Sequence, residues 1–320
     1  MSWRPTATPA TLQLRAALLA SARAFFAERG VLEVDTPALV RHCVTDVHIH
    51  GAQVQLPGQR EPLYLHTSPE YAMKRLLAAG SGDIYQIAHV YRGEERSRLH
   101  NPEFTLIEWY RQGYSMERLM QEVADLARRL LGLPAAQAVL AMSYSESFQA
   151  ILGCEPLTTT DEALRALAIA QRLEASLAAR CARDELLDWL MASAVGPRLG
   201  AERLCFIHRY PVSQAALAKV DAADARVALR FELYYRGVEL ANGFEELADA
   251  HEQRTRFESD RQARARRGLP IPAIDEALLE ALQAGLPEVS GVALGFDRVL
   301  MLRAGASDIS QVLSFPIERA

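Results

Sequence analysis

Cysteine is scarce in this chain of 320 residues: there are four, Cys43, Cys154, Cys181 and Cys205, far apart and with no C-x-x-C pair. That spacing excludes a disulfide framework and a cysteine-based zinc site, and it fits a reducing cytoplasm. Long apolar runs are missing as well. No stretch approaches the ~20 residues needed to cross a bilayer, so no membrane role is expected. The apolar N-terminal segment is broken by Arg15, Arg23 and Glu28, so it is not a signal peptide. Basic charge is not in excess: the net charge is −5 at pH 7 and the pI about 6.0. Field-driven binding to nucleic acid is therefore disfavoured, which leaves at most a local basic patch. Repeats and low-complexity linkers are absent. What remains is a composition of 50% apolar and 23% charged residues, that of a folded soluble protein. The length allows one large domain or two small ones.

Residues 1–10 hold Pro and Thr and read as a flexible N-terminus. Helical spacing predicts a helix over 11–29 stopped by Gly30, then a short strand over 31–34 broken at Thr36-Pro37. His48-Ile49-His50 reads as the solvated face of a strand, since no third metal ligand is near. Ser68, Pro69 and Glu70 supply the N-cap, first-position proline and first-turn acid of a helix reaching about residue 79. Such a helix start also offers backbone N–H groups to a substrate. Strands over 84–91 and 104–110 form a hairpin, followed by an amphipathic helix over 115–131. Residues 143–200 are rich in Ala and Leu and read as a helical insertion. Strands over 204–207, 227–235 and 238–244 follow, the last two joined by an Arg236-Gly237 turn. An arginine-rich helix over 249–267 reads as a solvated face. A helix over 277–284, a strand over 289–294, a helix over 296–303 and a last strand over 311–315 complete the chain. Irregular strand spacing and hairpin links favour an antiparallel α+β fold over a doubly wound parallel one.

The hairpin loop stands out. Loops of this kind usually run two to five residues. This one carries Arg92, Glu94, Glu95, Arg96, Arg98, His100 and Glu103 and no turn dipeptide. Arg92 offers a planar fork for phosphate oxygens, and Glu94 an acceptor for an amino group such as that of adenine. A surface ion-pair network accounts for the same residues equally well. On the first strand Gln86, Arg92 and Glu94 share a face if pleating stays regular, and on the return strand Phe104, Leu106, Glu108 and Tyr110 do.

Glu239 and Glu246 are separated by an odd spacing, which puts them on opposite faces of a regular strand. Asn242-Gly243 offers a bulge that would let them converge. Converging carboxylates need a cation between them, such as Mg²⁺ carrying substrate phosphates; two separate exposed carboxylates are the other reading. Residues 291–298 read as a strand entering a helix across Gly295, where a ligand can approach the backbone. Arg298 falls in the first helical turn, where the dipole disfavours a cation, so it calls for a partner such as phosphate.

Tyr91-Arg92-Gly93-Glu94 followed by His100-Asn101-Pro102-Glu103-Phe104 resembles motif 2 of class II aminoacyl-tRNA synthetases, in the lysyl branch. Residues 291–298 resemble motif 3, residues 31–37 the dimer-forming motif 1, and residues 239–246 the lysyl-branch metal and substrate segment. Together these span about residues 11–320. The Thr67-Ser68-Pro69-Glu70-Tyr71 and Glu108-Trp109-Tyr110-Arg111 segments, with Gly291-Val292-Ala293-Leu294-Gly295, resemble a stand-alone paralogous family more closely. These are the elongation factor P (R)-β-lysine ligases, which lack the anticodon-binding domain; here too the chain starts almost directly at the core.

The resemblance implies a class II synthetase-like α+β domain over 11–320, an antiparallel sheet flanked by helices, with a helical insertion at about 143–200. It implies ATP-dependent activation of (R)-β-lysine as an aminoacyl-adenylate and ligation to a lysine side chain of elongation factor P. The expected setting is a cytoplasmic homodimer, with tRNA not expected as acceptor. A truncated lysyl-tRNA synthetase, or a non-catalytic paralogue sensing an amino acid, is the alternative. Intact Arg92, Glu94, Glu239, Glu246 and Arg298 speak against the latter.

Carried over, the family's roles put Ser68, Pro69, Glu70, Tyr110 and Glu246 on the amino acid. Arg92, Gly93, Glu94, Asn101, Glu239, Leu240, Gly295 and Arg298 fall on ATP, and Glu239 and Glu246 on Mg²⁺. Arg92 and Arg298 would be catalytic. Ala293, where the lysyl pattern has glycine, would crowd the pocket wall and bias it from α-lysine toward β-lysine.

Overall fold

The computed structural model describes residues 3–93 and 95–320. In chain order it forms α1 (Pro9–Ala27), β1 (Leu32–Glu33), β2 (Leu39–Val40), β3 (Ala52–Val54), β4 (Leu63–Leu65), α2 (Glu70–Ala78), β5 (Ile84–Tyr91), β6 (Glu103–Gln112) and α3 (Met116–Leu131). Then come β7 (Leu140–Ser143), α4 (Tyr144–Leu152), α5 (Asp161–Ala170), α6 (Ala175–Ala178), α7 (Arg183–Leu190), β8 (Cys205–Pro211), β9 (Val227–Tyr235) and β10 (Val238–Glu245). The chain closes with α8 (Ala250–Arg266), α9 (Glu276–Gly285), β11 (Val289–Gly295) and α10 (Phe296–Arg303).

Two compact units emerge. The first is built from residues up to Ser115 with Asp125–Ala135 and Leu247–Ala320; the second from Met116–Ala124 and Ala136–Glu246.

In the first unit β6 lies between β5 and β11, antiparallel to both, and β1 runs parallel to β5. The register brings Gln86 and Ala293 to either side of Glu108. Strand side chains alternate between faces, and here the two faces have different fates. Tyr85 and Trp109 meet α1: Phe26 stacks on Tyr85 at 4.2 Å between centroids and lies 5.3 Å from Trp109. All three are buried. Gln86, Ala88, Leu106 and Glu108 face away from α1. One face is thus core and the other is left for chemistry. A separate small sheet has the order β2-β4-β3.

In the second unit β9 pairs antiparallel with β8 and β10, and β7 pairs parallel with β8. Arg236 and Gly237 both take positive φ, 51° and 72°, the type I′ geometry that matches strand twist. The helices α4, α5 and α7 bury Tyr144, Phe148, Leu164, Leu186, Leu187 and Leu190 in one cluster with Cys205, Ile207, Tyr210 and Tyr234 of the strands.

The α+β architecture with mainly antiparallel pairing is as expected. Two expected strands are missing. Residues 311–315 are not a strand: Asp308 caps a 3₁₀ turn over Ile309–Gln311, and the tail is then held by two backbone bonds, Thr6 N–H to Ser314 O and Ala7 N–H to Leu313 O. Around His48 the chain turns instead of extending, because Asp46 accepts from the His48 backbone N–H at 2.7 Å, a local bond that competes with a strand ladder.

Candidate active site

Glu108 sits at the centre of the free face of the first unit, 2% exposed. Both its oxygens take hydroxyl donors: Ser68 Oγ donates to Oε2 at 2.7 Å and Tyr110 OH to Oε1 at 2.8 Å. Ser68 also accepts from the Glu70 backbone N–H at 3.0 Å. The helix begins one residue later than expected, with Pro69 at the cap position and no side-chain cap bond from it; the Ser68 hydroxyl holds the Glu70 N–H from just outside and also reaches the sheet. Glu70 in turn pairs with the buried Lys74, Oε1 to Nζ 2.7 Å. On the far side of Glu108, Gln86 is fixed by a 2.9 Å hydrogen bond from Thr36, the threonine just before the predicted break at Pro37. Burial first, then the charge of Glu70, push the Glu108 carboxyl up to about 7, against the lowering effect of Ser68, Tyr110 and Lys74. Ser68, Pro69, Glu70, Tyr110 and Ala293 were expected from the sequence. The sequence marks Glu108 only as a member of the strand face and does not single out Lys74. Ala293 lies in register with Glu108 and packs on the Ala88, Val90 and Leu106 cluster.

Beyond the end of β5 the hairpin loop brings Arg92 toward Arg298 of α10. The Arg92 guanidinium lies 5.1 Å from the Phe104 ring centroid and 3.3 Å from Glu95 Oε1. Glu95 reaches within 3.9 Å of His100 Nε2, and Arg298 donates to that same nitrogen at 2.6 Å. A ring that accepts from a guanidinium is neutral, so Nδ1 carries the proton and donates to Ser97 Oγ at 2.6 Å. Burial, then the positive charge of Arg298, hold His100 below the usual histidine range. Arg298 therefore has the partner that its place in the first turn of α10 demanded, and that partner comes from the protein. Gly295 is the cap residue of α10 at φ −71°.

Gly93 donates its N–H to His50 O at 2.8 Å, which ties the loop down. Asn101 is engaged at both ends of its amide, donating to Glu103 O at 2.6 Å and accepting from Ile317 N–H at 3.1 Å. Glu94 lies outside the described residues. A separate cavity of about 200 Å³, lined by Arg15, Thr105 and Asp297 among others, involves neither Glu108 nor the two arginines.

In the second unit the odd spacing of Glu239 and Glu246 is resolved by a bulge, but not where the sequence placed it. Glu239 pairs with Tyr234 and Ala241 with Leu233, so Leu240 is the inserted residue; the strand passes through Asn242-Gly243 without a break. Glu239 thereby joins Asn242, Phe244 and Glu246 on one face, over Arg230, Glu232 and Tyr234 of β9. Glu232, unremarked in the sequence, accepts from Arg230 and from Tyr234 OH, each at 2.6 Å. Among the described residues no group of three or more His, Cys, Asp or Glu is gathered for a metal. No helix among them is long and apolar enough to cross a membrane.

The family model for class II tRNA synthetases (D, K and N) matches residues 1–319. An elongation factor P–(R)-β-lysine ligase of Edwardsiella ictaluri is 50% identical over 323 residues, covering 100% of this chain and 98% of that protein. Those of Photorhabdus laumondii and Proteus mirabilis are each 49% identical, over 323 and 322 residues, again covering 98% of the relative. The chain belongs to the elongation factor P–(R)-β-lysine ligase family. Members of this family are ATP-dependent ligases built on the class II synthetase domain. The carboxylate pocket lies on the face of β6 that α1 does not cover, with Arg92 over Phe104 of the same face.

Proposed function

We propose that this chain activates (R)-β-lysine with ATP as an aminoacyl-adenylate and transfers it to a lysine side chain of elongation factor P. One observation carries the reading. β6 holds a buried, hydroxyl-lined carboxylate, and the loop that leads into it holds Arg92, linked through Glu95 and His100 to Arg298 of α10. The first suits an ammonium group; the second suits phosphate oxygens. An amino acid and a nucleotide triphosphate need that combination.

In the first step a carboxylate oxygen of the amino acid attacks the α-phosphorus of ATP. The bond to the bridging oxygen breaks and pyrophosphate leaves. Ser68, Glu70, Glu108, Tyr110 and Glu246 hold the amino acid, with Pro69 and Ala293 shaping the wall. Arg92 and Arg298 offset the charge that builds on the phosphates, a contribution of roughly 3–4 kcal/mol per group in comparable sites. Gly93, Glu94, Asn101, Glu239, Leu240 and Gly295 complete the nucleotide contacts. In the second step the acceptor ε-amine attacks the mixed anhydride, AMP leaves, and the amine loses its proton. No covalent enzyme nucleophile is needed; positioning carries the rest.

Mg²⁺, a hard cation that takes one or two carboxylates and fills its shell with water and phosphate oxygens, would be held by Glu239 or Glu246 singly, since with Leu240 bulged out the two stand about six strand residues, roughly 20 Å, apart. When bound, it would neutralise phosphate charge. A cytoplasmic homodimer goes with the same reading. The test is to incubate the protein with ATP, (R)-β-lysine and either elongation factor P or lysine tRNA, and weigh the products. A mass gain on elongation factor P is expected; label on tRNA alone overturns the reading.

A further inference from the structure

Lys74 lies in the middle of α2 and is 1% exposed. Lysines on helices usually run their stem along the surface and keep the ammonium in water; this one turns inward. Its Nζ stands 2.7 Å from Glu70 Oε1, four residues earlier on the helix. A lysine so deeply buried stays charged only beside a carboxylate. The pair is not isolated, because Ser68 joins the Glu70 backbone to the Glu108 carboxylate through one hydroxyl.

We propose that Lys74 is a positioning residue for amino-acid activation: it offsets the charge of Glu70, so that the neighbouring Glu108 is kept as a carboxylate for the substrate's ammonium. This rests on the reading that Ser68, Glu70 and Tyr110 hold the amino acid.

The groups facing Glu108 come from every element around it. Glu70 and Lys74 are on α2, with Ser68 just before it; Tyr110 is on β6 itself, Gln86 on β5 and Ala293 on β11. Glu70 drives Glu108 toward its protonated form and Lys74 opposes it. Without Lys74, two carboxylates would share a dry space with no fixed cation between them. Such a dyad keeps one proton, and a neutral Glu108 no longer attracts an ammonium.

The test follows the Glu108 carboxyl by ¹³C NMR in the full chain, without substrate. In Lys74→Met its titration midpoint moves to a pH about one higher or more. Lys74→Arg stays near wild type, because the charge is kept. Glu70→Gln moves the midpoint down, since it leaves the attraction of Lys74 uncancelled; this variant decides the matter if Lys74→Met does not fold. Midpoints unmoved in Lys74→Met, or in Glu70→Gln where only that variant folds, overturn the proposal. In ATP–pyrophosphate exchange with (R)-β-lysine, the pH below which KM climbs shifts upward in Lys74→Met, with the change in KM and not in kcat. A wild-type protein that exchanges with no amino acid would instead sink the functional reading and leave the NMR order to be judged by itself.

Discussion

Glu108 in the first unit and Glu232 in the second are built alike and behave differently. Each is a nearly buried strand carboxylate, and each accepts from a tyrosine hydroxyl two positions along its own strand. Glu232 also has its own cation: Arg230 donates to it at 2.6 Å, stacks over Tyr210 and bonds Gln214 O. Burial works against the guanidinium charge, but the nearby Glu232 outweighs it and keeps Arg230 ionised. Around Glu108 the nearest cation is already held by Glu70. A carboxylate with a private arginine is complete. One whose neighbouring cation is shared with another acid is left wanting a positive charge, and a substrate can supply it.

The sharpest way to break this contrast is to remove the private cation. Arg230→Met should destabilise the protein by about 3–5 kcal/mol, the usual cost of stranding one buried ionic partner. Urea unfolding measures it, and adding Glu232→Leu should recover most of the loss. Next, Glu108→Gln should abolish ammonium recognition, with ATP–pyrophosphate exchange falling by about a hundredfold, as for other single electrostatic groups.

The same variant carries a pH signature. The native Glu108 is protonated up to about 7, against an ordinary 4.5. The folded state therefore binds more protons in that window, and wild-type stability falls as pH rises through it. Glu108→Gln should lack this fall, so its stability relative to wild type should rise by roughly 1.4 kcal/mol for each pH step of one inside the window. Thermal unfolding at pH 5 and pH 8 checks the sign. Ser68→Ala should cost about 1 kcal/mol, through loss of its bond from the Glu70 N–H and of one donor to Glu108. The smallest effect is expected at Gly93. Its backbone is not left-handed, and an added Cβ would meet His50 O at an ordinary 3.5 Å. Gly93→Ala should stay within about 0.5 kcal/mol of wild type in stability.

Much of this was legible in the residues. Alternation and β-branched content marked β5, β6 and β9, and the glycine-bounded run marked α10. The conflict of Arg298 with the helix dipole pointed to a phosphate, whereas the partner the structure gives it is His100. What was missed depends on distance along the chain. Glu108 gains its character from Ser68 and Glu70, forty and thirty-eight residues earlier, and no local pattern reports that. The bulge was assigned to Asn242-Gly243 on residue type, whereas the extra residue is Leu240, which no propensity singles out. The 311–315 tail has strand-like composition but finds its partners in Thr6 and Ala7 instead of a ladder.

The bulge also makes one position of β10 peculiarly fragile to insertions and deletions. Side chains on either side of Leu240 are kept in phase only because one residue is counted out of the alternation. Deleting Leu240 would change no charge and remove no polar side chain, yet it would turn Glu239 to the opposite face from Glu246. Replacing Leu240 by another apolar residue should be mild, whereas changing the length there by one should be as damaging as losing a carboxylate.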